Sequence, residues 1–196
     1  MQFLARFLQA LQPPQPAPAT VVLLLALIVV AAIFDLRYRR IPNWLTVSGA
    51  AAGLALNTFM YWGGAPDGGP GWLFSLKGLG LAFATYVALY SIRAVGAGDV
   101  KLMAAVGAIV AWKNWVIIAL FSFIVGAVLA LVVIVVTGRF KKTMFNVGFI
   151  VSEMMHLRPA YLRNEELDVR SGKGLRFPHA LWIGMGSIIF VLLSAR

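Results

Sequence analysis

Long runs of apolar residues recur along this chain and constrain its fold more than any other feature. The first run reads TVVLLLALIVVAAIFDL, and five further apolar segments follow it. Backbone inside a lipid bilayer must satisfy its hydrogen bonds internally, as a helix or a closed barrel does, and segments of these lengths favour helices. We therefore predict an all-α polytopic membrane protein with about six transmembrane helices. They are placed at residues 20–36, 43–62, 73–94, 99–112, 115–137 and 178–195.

The composition agrees with a membrane protein and excludes several functional classes. The chain has 196 residues, of which 61% are hydrophobic and 12% charged, whereas soluble domains carry roughly 25% charged residues. It contains no cysteine, which excludes disulfide frameworks, thiolate metal sites and cysteine nucleophiles. Its net charge is +10, but the chain lacks the basic and aromatic domain of a nucleic-acid binder. We therefore expect membrane lipids as partners and no nucleic acid.

The remaining segments complete the predicted organisation. Residues 1–19 predict a short interfacial helix and a proline-rich linker, which precede a membrane domain at 20–196. A polar loop at 138–177 interrupts this domain, and the apolar residues of Met144–Met155 favour an amphipathic helix on the inner leaflet. The segment 99–112 is short for a bilayer core of about 30 Å. It is either a complete span or a half-helix buried among its neighbours.

The basic residues fall mainly on one side of the predicted membrane. If six spans alternate in direction, thirteen of the 17 basic residues share one face. The positive-inside rule places that face in the cytoplasm and both chain termini outside. The thirteen are Arg37, Arg39, Arg40, Arg93, Lys101, Arg139, Lys141, Lys142, Arg158, Arg163, Arg170, Lys173 and Arg176.

Two acidic residues adjoin apolar spans on that same face. Asp35 lies at the end of the first segment, and Asp99 lies at the start of the fourth. One explanation is structural, with Asp99 at a helix N-terminus where the helix dipole favours negative charge, and Asp35 paired with Arg37 or Arg39. The other is functional, since ionisable groups within membranes are costly and usually face a partner or a cavity.

Two carboxylates brought together can hydrolyse a peptide bond. They do not both ionise easily, so they share a proton and titrate as a pair. The ionised carboxylate takes a proton from water while the protonated one polarises the scissile carbonyl. Gly96 and Gly98 permit positive φ angles and close approach of an extended substrate. Lys101 is either an interfacial charge or a group that tunes the pair or binds a substrate acid.

Other polar residues near the predicted helix ends have weaker assignments. Pro42 can open the second helix at its first turn. Asn43 is either a helix cap or a group that positions Asp35 or substrate backbone. For His179, a cap or an interfacial role is favoured over catalysis. Glu153 and His156 form an isolated E-x-x-H pair that we interpret as a loop surface feature, and we predict no metal site and no cofactor.

The segments DLRYRRIPN, beginning at Asp35, and GAGDVKL, beginning at Gly96, together resemble the type IV prepilin peptidases. These are membrane aspartic proteases of the GxGD type. The resemblance spans roughly residues 20–195 and implies a GxGD-type helical bundle with Asp35 and Asp99 as catalytic residues. It adds as site-shaping residues Gly96, Gly98, Lys101, Pro42, Asn43 and Pro178. After Pro178, His179 and Ala180 replace the aromatic–glycine pair expected in the family.

The resemblance implies a prepilin leader peptidase, an intramembrane aspartic endopeptidase. Its substrates would be type IV or Flp prepilins or pseudopilins, cleaved at the cytoplasmic face of the bacterial inner membrane. The short chain resembles the peptidase-only branch of the tight-adherence (Flp) type, without N-methyltransferase activity and without a cofactor. The residues themselves leave two alternatives open. One is a small proton- or ion-coupled transporter that uses Asp35 and Asp99, and the other is a scaffold for pilus assembly. The oligomeric state is not predicted.

Overall fold

The chain forms a bundle of α-helices in the part that the structure describes. A computed structural model describes residues 15–66, 69–138 and 179–194, together with a few positions between 141 and 152. This part contains no β-strand. Five helices have described bounds, the fourth of them broken at Ala111. They are α1 (Pro18–Tyr38), α2 (Asn43–Met60), α3 (Gly71–Ser91), α4 (Ala97–Val136) and α5 (His179–Ser194).

The break divides α4 into two halves, which we call α4a (97–110) and α4b (112–136). Ala111 has φ 60° and ψ 176°, a backbone conformation that is outside the helical region and essentially restricted to glycine. Counting the halves separately gives six helical segments, in agreement with the predicted all-α membrane fold and its approximate number of helices. The predicted boundary between the fourth and fifth segments, after residue 112, lies within a few residues of this break.

Proline and left-handed backbone mark the ends of the first helices. α1 begins at Pro18 and ends before Arg39, which adopts φ 51°. Pro42 is the N-cap of α2, and Pro70 is the N-cap of α3. The prediction that Pro42 lies within the first helical turn is therefore wrong by one position. Its fixed φ suits the extended backbone that precedes a helix as well as the first helical residue.

α4a occupies the centre of the bundle. From Asp99 to Ala111 every residue except Lys101 is buried, as expected for a helix that is apolar on all sides. Glycines allow the neighbouring helices to approach its backbone. A Cβ atom on Gly53 of α2 would lie 2.9 Å from the backbone nitrogen of Ile109, and one on Gly78 of α3 would overlap the carbonyl oxygen of Gly107.

Neighbouring helices also supply hydrogen-bond donors where α4a ends. The Asn57 side-chain amide of α2 donates to the carbonyl oxygens of Ala108 and Ile109, at 3.0 and 3.1 Å. The Ser75 hydroxyl of α3 donates to the carbonyl of Ala108 as well. The last carbonyls of a helix lack partners within it, and the membrane interior offers no water to replace them. Two buried side chains therefore stabilise the break.

The chain reverses direction at this break. His179, the first residue of α5, contacts Asp99. Further along α5, Trp182 lies against Gly126, and Gly186 lies against Ser122. The higher-numbered residues of α4b therefore lie nearer to Asp99. Because α4a runs away from Asp99, α4b must run back towards it, and the two halves are antiparallel.

The helix lengths distinguish a short central helix from the longer spans. Within the described residues, three helices are long and apolar enough to cross a membrane, namely α1, α3 and α4, the last of which reverses at Ala111, and α5 is apolar but shorter. At 1.5 Å per residue α4a is about 21 Å long, less than a bilayer core of about 30 Å. Of the two alternatives for this segment, the structure agrees with the short helix buried among its neighbours.

Several predictions lie wholly or largely outside the described residues. They include the N-terminal interfacial segment, Pro178, and the Glu153 and His156 pair. Most of the predicted amphipathic helix at 144–155 is also outside, although the described positions between 141 and 152 are helical. Among these, Met144 and Phe145 have exposed side chains.

Candidate active site

Asp99 lies in the first turn of α4a and is buried. Its Oδ2 atom accepts a hydrogen bond from the backbone N–H of Gly96 at 3.1 Å. An acidic residue at this position caps the helix N-terminus and interacts favourably with its dipole. The structural explanation of Asp99 is therefore correct as far as the helix end is concerned. It does not account for the contacts that Asp99 makes outside its own helix.

Asp35 lies one turn before the end of α1 and is half-buried. Its Oδ2 atom accepts a hydrogen bond from the backbone N–H of Ala180 at 3.1 Å. None of the described basic residues forms an ion pair with Asp35, so the expected pairing with Arg37 or Arg39 is not observed. The guanidinium of Arg37 lies over the Tyr38 ring, 5.8 Å from its centroid.

The N-terminus of α5 brings the two acids together. His179 places Nδ1 3.2 Å from Oδ2 of Asp99, and the next residue, Ala180, donates its N–H to Asp35. The two aspartates are also close enough for their charges to interact. Carboxylates from the first and fourth helices therefore meet at the first two residues of the fifth.

The segments flanking the two acids are in contact as well. Asn43 is the first residue of α2, and its Oδ1 atom accepts a hydrogen bond from Nζ of Lys101 at 2.8 Å. A Cβ atom on Gly98 would lie 3.6 Å from the side chain of Ile41, an ordinary packing distance. The side chain of Asn43 thus binds Lys101 rather than capping its own helix. This contact joins the two motifs that carry the resemblance.

Neither of the two glycines adopts the positive φ that glycine permits. Gly96 has φ −83°, and Gly98 is not among the described residues with positive φ. Positive φ occurs near the site at Arg39 and Arg93 instead, at 51° and 60°. Gly96 has a different steric constraint, because a Cβ atom there would lie 3.3 Å from Oδ2 of Asp99.

The sequence alone does not predict that two further residues, His179 and Tyr86, interact with Asp99. The sequence favours a cap or interfacial role for His179, whereas in the structure it contacts Asp99 directly. The replacement of an expected aromatic residue by histidine was the available signal. Tyr86 of α3 is buried and close enough to interact electrostatically with Asp99. Nothing in the sequence distinguishes it from the other aromatic residues of its helix.

Both carboxylates use the same oxygen in their contacts with described residues. In the described part of the chain, the hydrogen bonds of Asp35 and Asp99 involve Oδ2 alone. Among these residues, neither Oδ1 atom has a hydrogen-bond donor. Among the same residues, no group of three His, Cys, Asp or Glu side chains is arranged to hold a metal ion.

These features define an integral membrane protein with paired aspartates at one end of a helical bundle. Residues 22–131, more than half of the chain, match the model of the type IV leader peptidase family. The chain belongs to that family. The match includes Asp35 and Asp99 and ends before His179. It confirms the family predicted from the sequence motifs.

A curated relative from Myxococcus xanthus (strain DK1622) carries the name prepilin leader peptidase/N-methyltransferase. It is 30% identical to this chain over 123 residues, an alignment that covers 59% of this chain and 35% of the relative. The chain thus matches about a third of the length of that relative. No solved structure matches the chain significantly.

Proposed function

We propose that this protein is a prepilin leader peptidase that uses Asp35 and Asp99 as an aspartic catalytic pair. Membership of the type IV leader peptidase family and the name of the curated relative support the peptidase activity. The observation that carries the aspartic assignment is the meeting of both acids at His179 and Ala180. These two residues hold together carboxylates that are far apart in the sequence.

The pair would hydrolyse the peptide bond with water as the nucleophile. One aspartate is ionised and takes a proton from water, while the other is protonated and donates a hydrogen bond to the scissile carbonyl. The new C–O bond, together with transfer of the proton from the second aspartate to the carbonyl oxygen, gives a tetrahedral gem-diol. This intermediate collapses with cleavage of the C–N bond, and a proton from the pair goes to the leaving amine. No covalent intermediate with the enzyme is required.

The location of the site suggests where cleavage occurs. In the alternating arrangement of helices, the acids lie at the same end of the bundle as the basic segments after α1 and α4b. The positive-inside rule assigns this end to the cytoplasmic side of the membrane, which we take to be a bacterial inner membrane, with both termini on the opposite side. The substrate would then present its leader at the cytoplasmic face.

We assign the substrate class and the absence of methylation from the sequence motifs and from the short connection between α1 and α2. By the resemblance, the larger members of the family, which also methylate the new N-terminus, carry an N-terminal cytoplasmic insert. The connection from Tyr38 to Asn43 leaves no room for such an insert between α1 and α2. We therefore assign the protein to the peptidase-only, Flp-associated type, with Flp prepilins or pseudopilins as substrates. On this proposal the enzyme removes the leader without methylating the new N-terminus.

The test is leader removal from a co-expressed Flp prepilin, followed by mass spectrometry of the pilin N-terminus. Asp35→Asn and Asp99→Asn should each reduce cleavage about 100- to 10,000-fold, the range typical of general acid and base groups. Asp67→Asn, a matched change in the connection between α2 and α3, should leave cleavage unchanged. Immunoblots of the membrane fraction verify accumulation. Normal cleavage by either active-site variant would refute the proposal.

A further inference from the structure

The ring of His179 is held from two sides. Its Nδ1 atom lies 3.2 Å from Oδ2 of Asp99, and its ring meets that of Trp182 edge to face, with centroids 5.2 Å apart. Trp182 is itself packed against α4b, since a Cβ atom on Gly126 would lie 2.6 Å from its ring. The imidazole position is therefore determined by Asp99 of α4a on one side and by Trp182, packed between α5 and α4b, on the other.

The contact with Asp99 sets a condition on the protons. An ionised carboxylate only accepts hydrogen bonds, so Nδ1 must carry a proton when it binds ionised Asp99. Oδ2 of Asp99 then has two donors, the imidazole and the Gly96 N–H. Among the described residues, Asp35 has one donor, the Ala180 N–H. Hydrogen bonds to the charged form of a carboxyl group favour that form, so the two acids are not equivalent.

The ionisable groups that the structure describes next to this contact, Asp35, Tyr86 and Lys101, do not remove the asymmetry. Asp35 on α1 and Tyr86 on α3 are close enough to interact electrostatically with Asp99, and neither is a cation. Lys101 lies on α4a two residues after Asp99, but its ammonium group donates to Asn43. The His179 side chain is 37% exposed, whereas that of Asp99 is 9% exposed. The imidazole can therefore exchange protons with solvent while it contacts a buried acid.

We propose that His179 is a positioning residue that holds Asp99 as the ionised member of the pair and leaves the shared proton on Asp35. This inference rests on the proposed aspartic peptidase. Asp99 then takes the proton from the attacking water, and Asp35 donates its hydrogen bond to the scissile carbonyl. The assignment concerns this chain in particular, because the aromatic residue expected at position 179 has no N–H group in this place.

Three substitutions of His179 separate its hydrogen bond from its bulk. His179→Phe keeps a ring and removes the donor, so kcat for cleavage should fall about 10- to 100-fold, as expected for a lost hydrogen bond to a charged group. His179→Asn places an amide N–H close to the position of Nδ1 and should retain kcat within about threefold. His179→Gln places it near the position of Nε2 and should behave like His179→Phe. The Michaelis constant should change by less than about threefold in all three variants.

The measurement is steady-state cleavage of a purified prepilin by the detergent-solubilised full chain. Wild-type kcat in His179→Phe, or equal kcat in His179→Asn and His179→Gln, would overturn the inference. If His179→Phe does not accumulate, the comparison of kcat between His179→Asn and His179→Gln still tests the role of the Nδ1 hydrogen bond. The Asp→Asn variants, measured in parallel, isolate the underlying proposal. If they are inactive while every His179 variant is fully active, only the role of His179 fails.

Discussion

The two ends of α4a differ in the kind of polar group that meets them. At its N-terminus, Asp99 accepts the N–H of Gly96 and contacts His179, which is partly open to solvent. At its C-terminus, the carbonyls of Ala108 and Ile109 accept hydrogen bonds from Asn57, which is almost completely buried. One end carries ionisable groups, and the other is stabilised by a neutral amide and the hydroxyl of Ser75.

The difference indicates a division between chemistry and stability within one short helix. A neutral donor satisfies a buried carbonyl without the cost of desolvating a charge. An ionisable group at the same depth is costly and is expected where it has a function. Substitutions at the break should therefore alter the free energy of unfolding, whereas substitutions at the acidic end should alter the rate of cleavage. Four experiments test this comparison, from the largest expected effect to the smallest.

The close contact between α3 and the end of α4a should tolerate no added side chain. Gly78→Ala would place a methyl group against the Gly107 carbonyl and the Ala111 backbone, at a cost of about 3 kcal/mol or more. Gly80→Ala, two residues along the same helix, meets no atom within 4 Å and should be neutral or slightly stabilising. Thermal unfolding in detergent and accumulation in membranes measure both effects. Equal stability of the two variants would contradict the close packing.

Removing the amide at the break should destabilise the bundle without affecting the chemistry. Asn57→Leu keeps a similar volume but leaves the carbonyls of Ala108 and Ile109 without that donor, which should cost about 2–3 kcal/mol. Thr58→Val removes a hydroxyl that is exposed and bonded only within its own helix, and it should change stability by less than about 0.5 kcal/mol. The cleavage rate per folded molecule should stay constant. A lower cleavage rate in fully folded Asn57→Leu would contradict the proposed separation between the stabilising end and the catalytic end of α4a.

Glycine at the reversal should stabilise the fold. Ala111→Gly relieves a backbone conformation that disfavours a Cβ atom, so the free energy of unfolding should rise by about 1 kcal/mol. Ala105→Gly, in the regular and buried part of α4a, should lower it by a similar amount. Chemical denaturation in detergent measures the two changes. The same sign for both would exclude strain at Ala111.

The exposed hydrogen bond beside the acids should have the smallest effect. Lys101→Met and Asn43→Ala each remove the contact between Nζ and Oδ1, and each should slow cleavage less than about fivefold. The double variant should be no slower than the slower single variant, because both changes remove the same interaction. A loss of a hundredfold in Lys101→Met alone would instead show that its ammonium group acts directly on the carboxylates.

Much of the fold could be predicted because it depends on local properties of the sequence. Apolar runs give the helices, and prolines at positions 18, 42 and 70 mark where three of them begin or are capped. The reversal within α4 was predicted from the boundary between the fourth and fifth segments, but the residue at which it occurs and the groups that stabilise it could not be predicted. The sequence at Ala111 contains neither glycine nor proline, and the donors that stabilise the break come from α2 and α3.

The two acids of the site could be predicted from the sequence, whereas the residues that contact them could not be predicted as well. Asp35 and Asp99 stand out because acids are rare beside apolar spans. Their partners come from α5, and a hydrogen bond between residues 145 positions apart depends on the packing of whole helices. The backbone of Gly96 could not be inferred either, because glycine permits positive φ without requiring it.

The contacts at the start of α5 also bear on biosynthesis. A ribosome makes the chain from the N-terminus, so α1 and α4 exist before His179 and Ala180 have been added. Until α5 is inserted, Asp35 lacks its backbone donor and Asp99 lacks its imidazole. The two acids gain their shared anchor only after the other described helices have been made. A nascent chain in the membrane therefore carries both carboxylates before it has the arrangement that pairs them.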